Sequence, residues 1–194
     1  MSISQHSSVR IISGSKRGSK IKFPAVRGLR PSGDRIRETL FAWLQTSVAG
    51  SQCLDMFAGS GALGFEAASR GADRVVMIEK NRSAAESLKE NIERLQFDNV
   101  DIVAADALAR STYESKPAMH QFDLLFIDPP FAENLHQSAI DRIQQQKLLK
   151  PDALVYVESG KKCNSLEVPV HWQLFREKVA GEVQIHLYRT IAAE

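Results

Sequence analysis

Apolar and polar positions change rhythm along the chain, and the rhythm predicts the elements. From Gln52 onward, short apolar runs alternate with amphipathic stretches. The runs at 53–56, 74–79, 100–104, 122–128 and 154–158 read as strands buried on both faces. Between them, the glycine turn at 59–64 leads into a helix through about Ser69, and helices are expected over 81–95 and about 135–148, with Ala84, Ala85, Leu88, Ile92 and Leu95 on one face of the 81–95 helix and Asn81 as its cap. Strand and helix in alternation predict a parallel sheet covered on both sides. The last segments, 172–179 and 182–190, are joined by Ala180-Gly181, and Val183, Ile185 and Leu187 alternate inward, which predicts an antiparallel hairpin closing the sheet.

The first forty residues follow another pattern. Runs at 9–12 and 20–23 flank a Gly- and Ser-rich tip and predict a β-hairpin. A helix from about Ser32 or Asp34 follows, packed through Ile36, Leu40, Phe41 and Leu44, with Arg35 and Arg37 expected on its outward side. The division expected is a small extension, residues 1–46, and a body, residues 47–194.

Charge sharpens that division. Residues 1–37 hold nine basic side chains and one acid, whereas the remainder holds 16 basic and 22 acidic residues. A basic extension on an acidic body is the electrostatic footprint of a polyanion binder. Two cysteines, Cys53 and Cys163, and five scattered histidines supply neither a disulfide framework nor a metal-ligand spacing, so no metal is expected. No run approaches the roughly 18 apolar residues of a membrane span, and the polar start lacks the apolar core of a secretion signal. A cytoplasmic monomer with no membrane partner is the expectation.

Candidate chemistry gathers at strand ends. Gly59-x-Gly61-x-x-Gly64 follows the first body strand and opens a helix, and Glu79 ends the next strand, where it is suited to accept from two ribose hydroxyls. Those features serve a nicotinamide dinucleotide or S-adenosylmethionine equally. Asp55, just before the glycine loop, favours the second, because a carboxylate there repels a pyrophosphate and attracts an ammonium. Asp106, suited to the adenine amine, and Asp128 extend the row of acids along one sheet edge. The apolar run at 124–127 stops at Asp128-Pro129-Pro130-Phe131, a stiff turn carrying a carboxylate, carbonyls and a ring, which are the parts needed to hold and stack a flat amine.

Taken together, Gly28-Leu29-Arg30-Pro31, the run Asp34-Arg35-Ile36-Arg37-Glu38-Thr39-Leu40-Phe41 with Trp43-Leu44, the run from Asp55 through Phe57-Ala58-Gly59-Ser60-Gly61 to Gly64, and Asp128-Pro129-Pro130-Phe131 resemble the bacterial RsmD family. The strand end at 156–159 and the segment 176–181 are similar too. These are class I S-adenosylmethionine-dependent methyltransferases, with a Rossmann-like sheet, that methylate N2 of one guanine in small-subunit (16S) ribosomal RNA. The resemblance implies Asp55, Phe57, Gly59, Gly61, Glu79, Asp106, Ala107 and Asp128 for the cofactor, and Asp128, Pro129, Pro130 and Phe131 for catalysis. RNA within the small ribosomal subunit is the implied partner, with Arg10, Arg17, Lys20, Arg30, Arg35 and Arg37 the expected phosphate contacts. Phe131 is the expected stacking ring for an extruded base. Methylation of adenine N6 or a protein amide on the same scaffold, a non-catalytic assembly factor and a nicotinamide dehydrogenase stay open as alternatives.

Overall fold

The computed structural model describes residues 6–24, 33–114, 121–130, 133–161 and 166–191. Strands β1 (His6–Arg10) and β2 (Lys20–Pro24) pair antiparallel, with Arg10 opposite Lys20. Val9, Ile11, Ile21 and Phe23 are buried, so the hairpin's apolar side shares one core with the body. The first strand starts earlier than the alternation suggests and ends two residues sooner. Its would-be continuation turns away because the Ile12 and Ser13 N–H groups donate to the Glu66 carboxylate at 2.7 and 3.0 Å. At the hairpin tip, Gly14 has φ +87° and lies so close to Ser69 that an added Cβ would sit 1.8 Å from its carbonyl oxygen. Only glycine fits that approach, and Ser15 N–H uses it to donate to the Ser69 carbonyl at 2.7 Å.

Helix α1 (Asp34–Trp43) starts at Gly33 and buries Leu40, Phe41 and Leu44, as the spacing predicts. Arg37 is a correction. It was expected to face outward with Arg35 and contact RNA, yet it is 0% exposed. Its guanidinium donates to Asp34 at 2.6 Å and to the Arg10 carbonyl at 3.0 Å, and lies 3.5 Å from Glu66. The reason is geometric: Arg37, Leu40, Phe41 and Leu44 fall at i, i+3, i+4 and i+7, the face that packs inward.

The body is a seven-stranded sheet of β3 (Gln52–Asp55), β4 (Arg74–Glu79), β5 (Val100–Ala104), β6 (Phe122–Ile127), β7 (Leu149–Gly160), β8 (Trp172–Ala180) and β9 (Val183–Thr190). The order is β5-β4-β3-β6-β7-β9-β8, parallel as far as β7, with β9 antiparallel between β7 and β8. Helices α2 (Ala62–Ser69), α3 (Arg82–Leu95), α4 (Ser111–Glu114, one turn) and α5 (His136–Gln146) complete the described elements. The hairpin, α1, α2 and α3 cover one face around Phe41, Phe65, Leu88, Phe126 and Tyr156. The other face packs Tyr113, Ile140, Ile143 and Trp172. Strand β7 begins five residues before its apolar run, and a register shift between Phe122 and Leu124 of β6 absorbs the irregular Pro151 and Asp152, the latter at φ +59°. The chain winds outward from β3 to β5, then returns to β6 and winds the other way. That reversal opens a crevice beyond the carboxyl ends of β3 and β6.

Candidate active site

Four strand ends meet at this crevice, and each carries an acid from the sequence reading. Asp55 ends β3, Glu79 ends β4, Asp106 follows β5 and Asp128 follows β6. Because β5, β4, β3 and β6 are neighbours, the four stand side by side along one edge.

Asp55 is 2% exposed and accepts from Gly64 N–H, in the first turn of α2, at 3.2 Å. Burial pushes its carboxyl up to about 7, with the nearby Glu79 charge adding to the rise and backbone N–H donors from Gly64 and Phe57 opposing it. Among the described residues no cation pairs with Asp55 or Glu79. Both Glu79 oxygens are aimed by the backbone, one accepting from Gly59 N–H at 2.8 Å and the other from Asn81 N–H at 2.7 Å. Each oxygen keeps a second lone pair, so the carboxylate can accept two further donors at once. Between these acids the glycine loop is forced close to its surroundings. Gly61 has φ +80°, and a Cβ there would lie 2.6 Å from Leu88 and from the Phe65 ring. Half-buried Phe57 and Gly59 line the same loop.

Asp106 is exposed, and its carboxylate accepts from Leu108 N–H at 2.8 Å. Ala107 is buried beside it, its carbonyl held by the Tyr113 hydroxyl at 2.7 Å. Asp128 is half-buried and Pro129 buried at the start of the turn after β6. The Pro130 carbonyl accepts from Glu133 N–H at 3.0 Å, which fixes the turn from behind. Lys80, next to Glu79, reaches Glu133 at 2.8 Å and links the end of β4 to the segment after β6. Phe131 and Arg30 lie outside the described residues. Arg10, Arg17, Lys20 and Arg35 are exposed on the hairpin and α1.

A family model described as "Conserved hypothetical protein 95" matches residues 9–189. Ribosomal RNA small subunit methyltransferase D of Escherichia coli is 41% identical over 181 residues, spanning 93% of this chain and 89% of its own. The chain belongs to the RsmD family. The protein of the same name from Haemophilus influenzae is also 41% identical, over 93% of each chain. Among solved structures, Escherichia coli YhhF superposes with a TM-score of 0.84 at 40% identity, covering 96% of this chain and all of that one. The T. thermophilus 16S rRNA N2 G1207 methyltransferase, solved with AdoMet and guanosine, shares the fold at TM-score 0.70 and 20% identity, over 96% of this chain and 50% of its own.

This RsmD-family chain brings to the crevice two residues, Tyr156 and Glu158, that the sequence pattern marked only as part of a similar strand end and not as site residues. Register pairs Ile127 with Val157, so Glu158 of β7 stands level with Asp128 of β6. Glu158 is 3% exposed, and its carboxylate accepts from the Tyr156 hydroxyl at 2.8 Å. Burial pushes the Tyr156 phenol well up, and the charges of Glu158 and Asp128 push it further, so it stays a donor at neutral pH. Behind them His136 holds the Glu158 carbonyl at 2.8 Å, and burial lowers its pKa. The signal was present: Glu158 ends the apolar run of β7 as Asp128 ends that of β6.

Proposed function

We propose that this protein transfers a methyl group from S-adenosylmethionine to the exocyclic N2 of a guanine in 16S ribosomal RNA of the small ribosomal subunit. The observation that carries the reading is the row of carboxylates at four adjacent strand ends, in which buried Asp55 pairs with no cation among the described residues. A site built this way favours a ligand that brings the positive charge. The name of its 41%-identical relatives supports ribosomal RNA as the acceptor.

When bound, S-adenosylmethionine supplies an electrophilic methyl on a sulfonium, together with an ammonium. In this reading Asp55 meets the ammonium, Glu79 the ribose hydroxyls and Asp106 the adenine amine. Phe57, Gly59, Gly61 and Ala107 form the walls, and Asp128 borders the transfer site. Asp128 and the Pro129 carbonyl accept from the two N–H groups of the guanine amine. That orients the amine and localises a lone pair otherwise delocalised into the ring. Positioning and electrostatics then carry the reaction, with no covalent enzyme intermediate. A strong base is not required, because the nitrogen becomes acidic once methylated. Phe131 stacks on the extruded base in this reading.

Residues 1–46 serve as an RNA-binding extension of the methyltransferase body, residues 47–194. Arg10, Arg17, Lys20 and Arg35 meet phosphates, with Arg30 beside them. Arg37, buried, is not in that set. The protein acts in the cytoplasm as a monomer. Tritiated methyl transfer to naked 16S RNA and to small subunits from cells lacking the activity, followed by nucleoside analysis, tests the reading. N2-methylguanosine is expected. Methyladenosine, or no incorporation into either substrate, overturns it.

A further inference from the structure

The free edge of the sheet, far from the N-terminal hairpin in sequence, carries a second set of cations. Strand β8 is exposed from Gln173 to Val179, with Leu174, Phe175 and Val179 among the exposed apolar residues. Its charges are sorted by face. Register pairs Arg176 with Leu187 and Lys178 with Ile185, while Arg189 of β9 pairs with Leu154 of β7. Leu187, Ile185 and Leu154 all belong to the core beneath α1, so Arg176, Lys178 and Arg189 project from that side of the sheet. Glu177, one residue out of phase, falls on the opposite side and lies 3.9 Å from His186.

Two of these cations are held in place by a ring. The Arg176 and Arg189 guanidinium carbons stand 4.7 and 4.4 Å from the Phe175 ring centroid. A ring that steadies two guanidinium forks presents pre-organised, planar donors, which suit bidentate phosphate contact and stacking beneath a splayed base. The surface is continuous with the N-terminal cations. Lys178 donates to the Thr39 hydroxyl of α1 at 2.9 Å, and Thr39 donates to the Arg35 carbonyl at 2.9 Å. Lys178 is also level with the crevice, because Glu158 pairs with Ile185 and Ile185 with Lys178. Three strand spacings separate it from Asp128, roughly 14 Å.

We propose that the β8–β9 edge is a second RNA-contact surface, in which Arg176 and Arg189, braced by Phe175, hold backbone flanking the target on the α1 face of the sheet, two and four residues along the strands from the level of the crevice. The proposal rests on the reading that the substrate is RNA. An edge strand also needs protection against pairing with other chains, and charged side chains give it. The test separates the two roles.

Binding of a 16S RNA fragment is measured by fluorescence anisotropy across a salt series for wild type, the Arg176→Gln/Arg189→Gln double variant, Phe175→Ala and Glu177→Gln. Wild-type methylation of the same RNA and S-adenosylmethionine titration of each variant run alongside. The expected result is several-fold weaker binding by the double variant, with a salt slope lower by up to about two units. Phe175→Ala weakens binding with little change of slope, and Glu177→Gln matches wild type. Unchanged affinity and slope in the double variant, while wild type methylates the RNA, overturns this inference and leaves the proposed function standing. Self-association of the double variant with unaltered RNA binding also overturns it and assigns the charges to edge protection. Wild type that binds S-adenosylmethionine but neither binds nor methylates the RNA overturns the proposed function itself.

Discussion

Two buried carboxylates lie on either side of the glycine loop, and they are used in opposite ways. Glu66, in α2, is 0% exposed and surrounded by donors: the Ile12 and Ser13 N–H groups, Arg70 at 2.7 Å and Arg37 at 3.5 Å. Asp55, at the end of β3, is nearly as buried and has backbone donors but, among the described residues, no cation. One carboxylate is neutralised by the chain itself and fastens the hairpin and α1 to the body. The other is left at a charge deficit. A buried acid without a counter-ion carries a cost, and a site that bears such a cost is a candidate for binding a cation from outside.

The largest effect is expected at the neutralised acid. Glu66→Ala takes the carboxylate from Arg70 and from one side of Arg37, which keeps Asp34 and the Arg10 carbonyl, and removes the partner of two backbone N–H groups. Breaking such a pair costs about 3–5 kcal/mol. Chemical denaturation of the variant checks it, and a loss below about 1 kcal/mol would erase the contrast between the two acids. The extension should loosen with it, seen as faster amide exchange in β1 and β2.

At Asp55 the sign reverses. Its folded pKa, near 7, stands above the unfolded carboxylate value. Between about pH 4 and pH 7 the folded state therefore holds a proton that the unfolded chain has released. Stability falls as pH rises through that window. Asp55→Asn should raise Tm at pH 8, where wild type holds a buried charge, and leave it nearly unchanged at pH 4. The same change should weaken S-adenosylmethionine binding at pH 8 by tenfold or more, since a buried charge pair is lost. A variant that is both less stable and unimpaired in binding contradicts the assignment.

A third effect sharpens the same point without mutation. Wild-type affinity for S-adenosylmethionine should fall as pH drops from 8 to 6, because the carboxylate must be ionised to meet an ammonium. Calorimetric titration across that range checks it. Last comes Lys80 with Glu133, 53% and 44% exposed at the side chain. Lys80→Ala should change stability by no more than about 0.5 kcal/mol despite the 2.8 Å contact, because solvent screens an exposed pair.

Much of the fold was legible because its elements are strongly patterned. β4 and β5 fall where their apolar runs lie, and Asn81 caps α3 by accepting from Ala84 N–H at 3.0 Å. The four strand-end acids were legible for the same reason, since each terminates or follows an apolar run. What failed was charge read without geometry. Arg37 counted as one of nine N-terminal cations, yet its place in the i, i+3, i+4, i+7 pattern with Leu40, Phe41 and Leu44 already put it on the buried face. Ile12 looked like strand because it is β-branched, and its partner, Glu66, lies 54 residues away where no local rule reaches. Glu158 ended an apolar run much as Asp128 did but lacked the prolines that drew attention to the latter. Its position beside Asp128 follows from the order β6-β7, which the sequence does not spell out.

In the proposed site the turn after β6 holds the amine while the acids of β3 and β4 hold the cofactor. Single-turnover methyl transfer by Asp128→Ala, with RNA and S-adenosylmethionine both saturating, tests it most directly. A rate at least 100-fold below wild type is expected, on the order of 3 kcal/mol in the barrier, with the fold intact. A rate within a few-fold of wild type would contradict it.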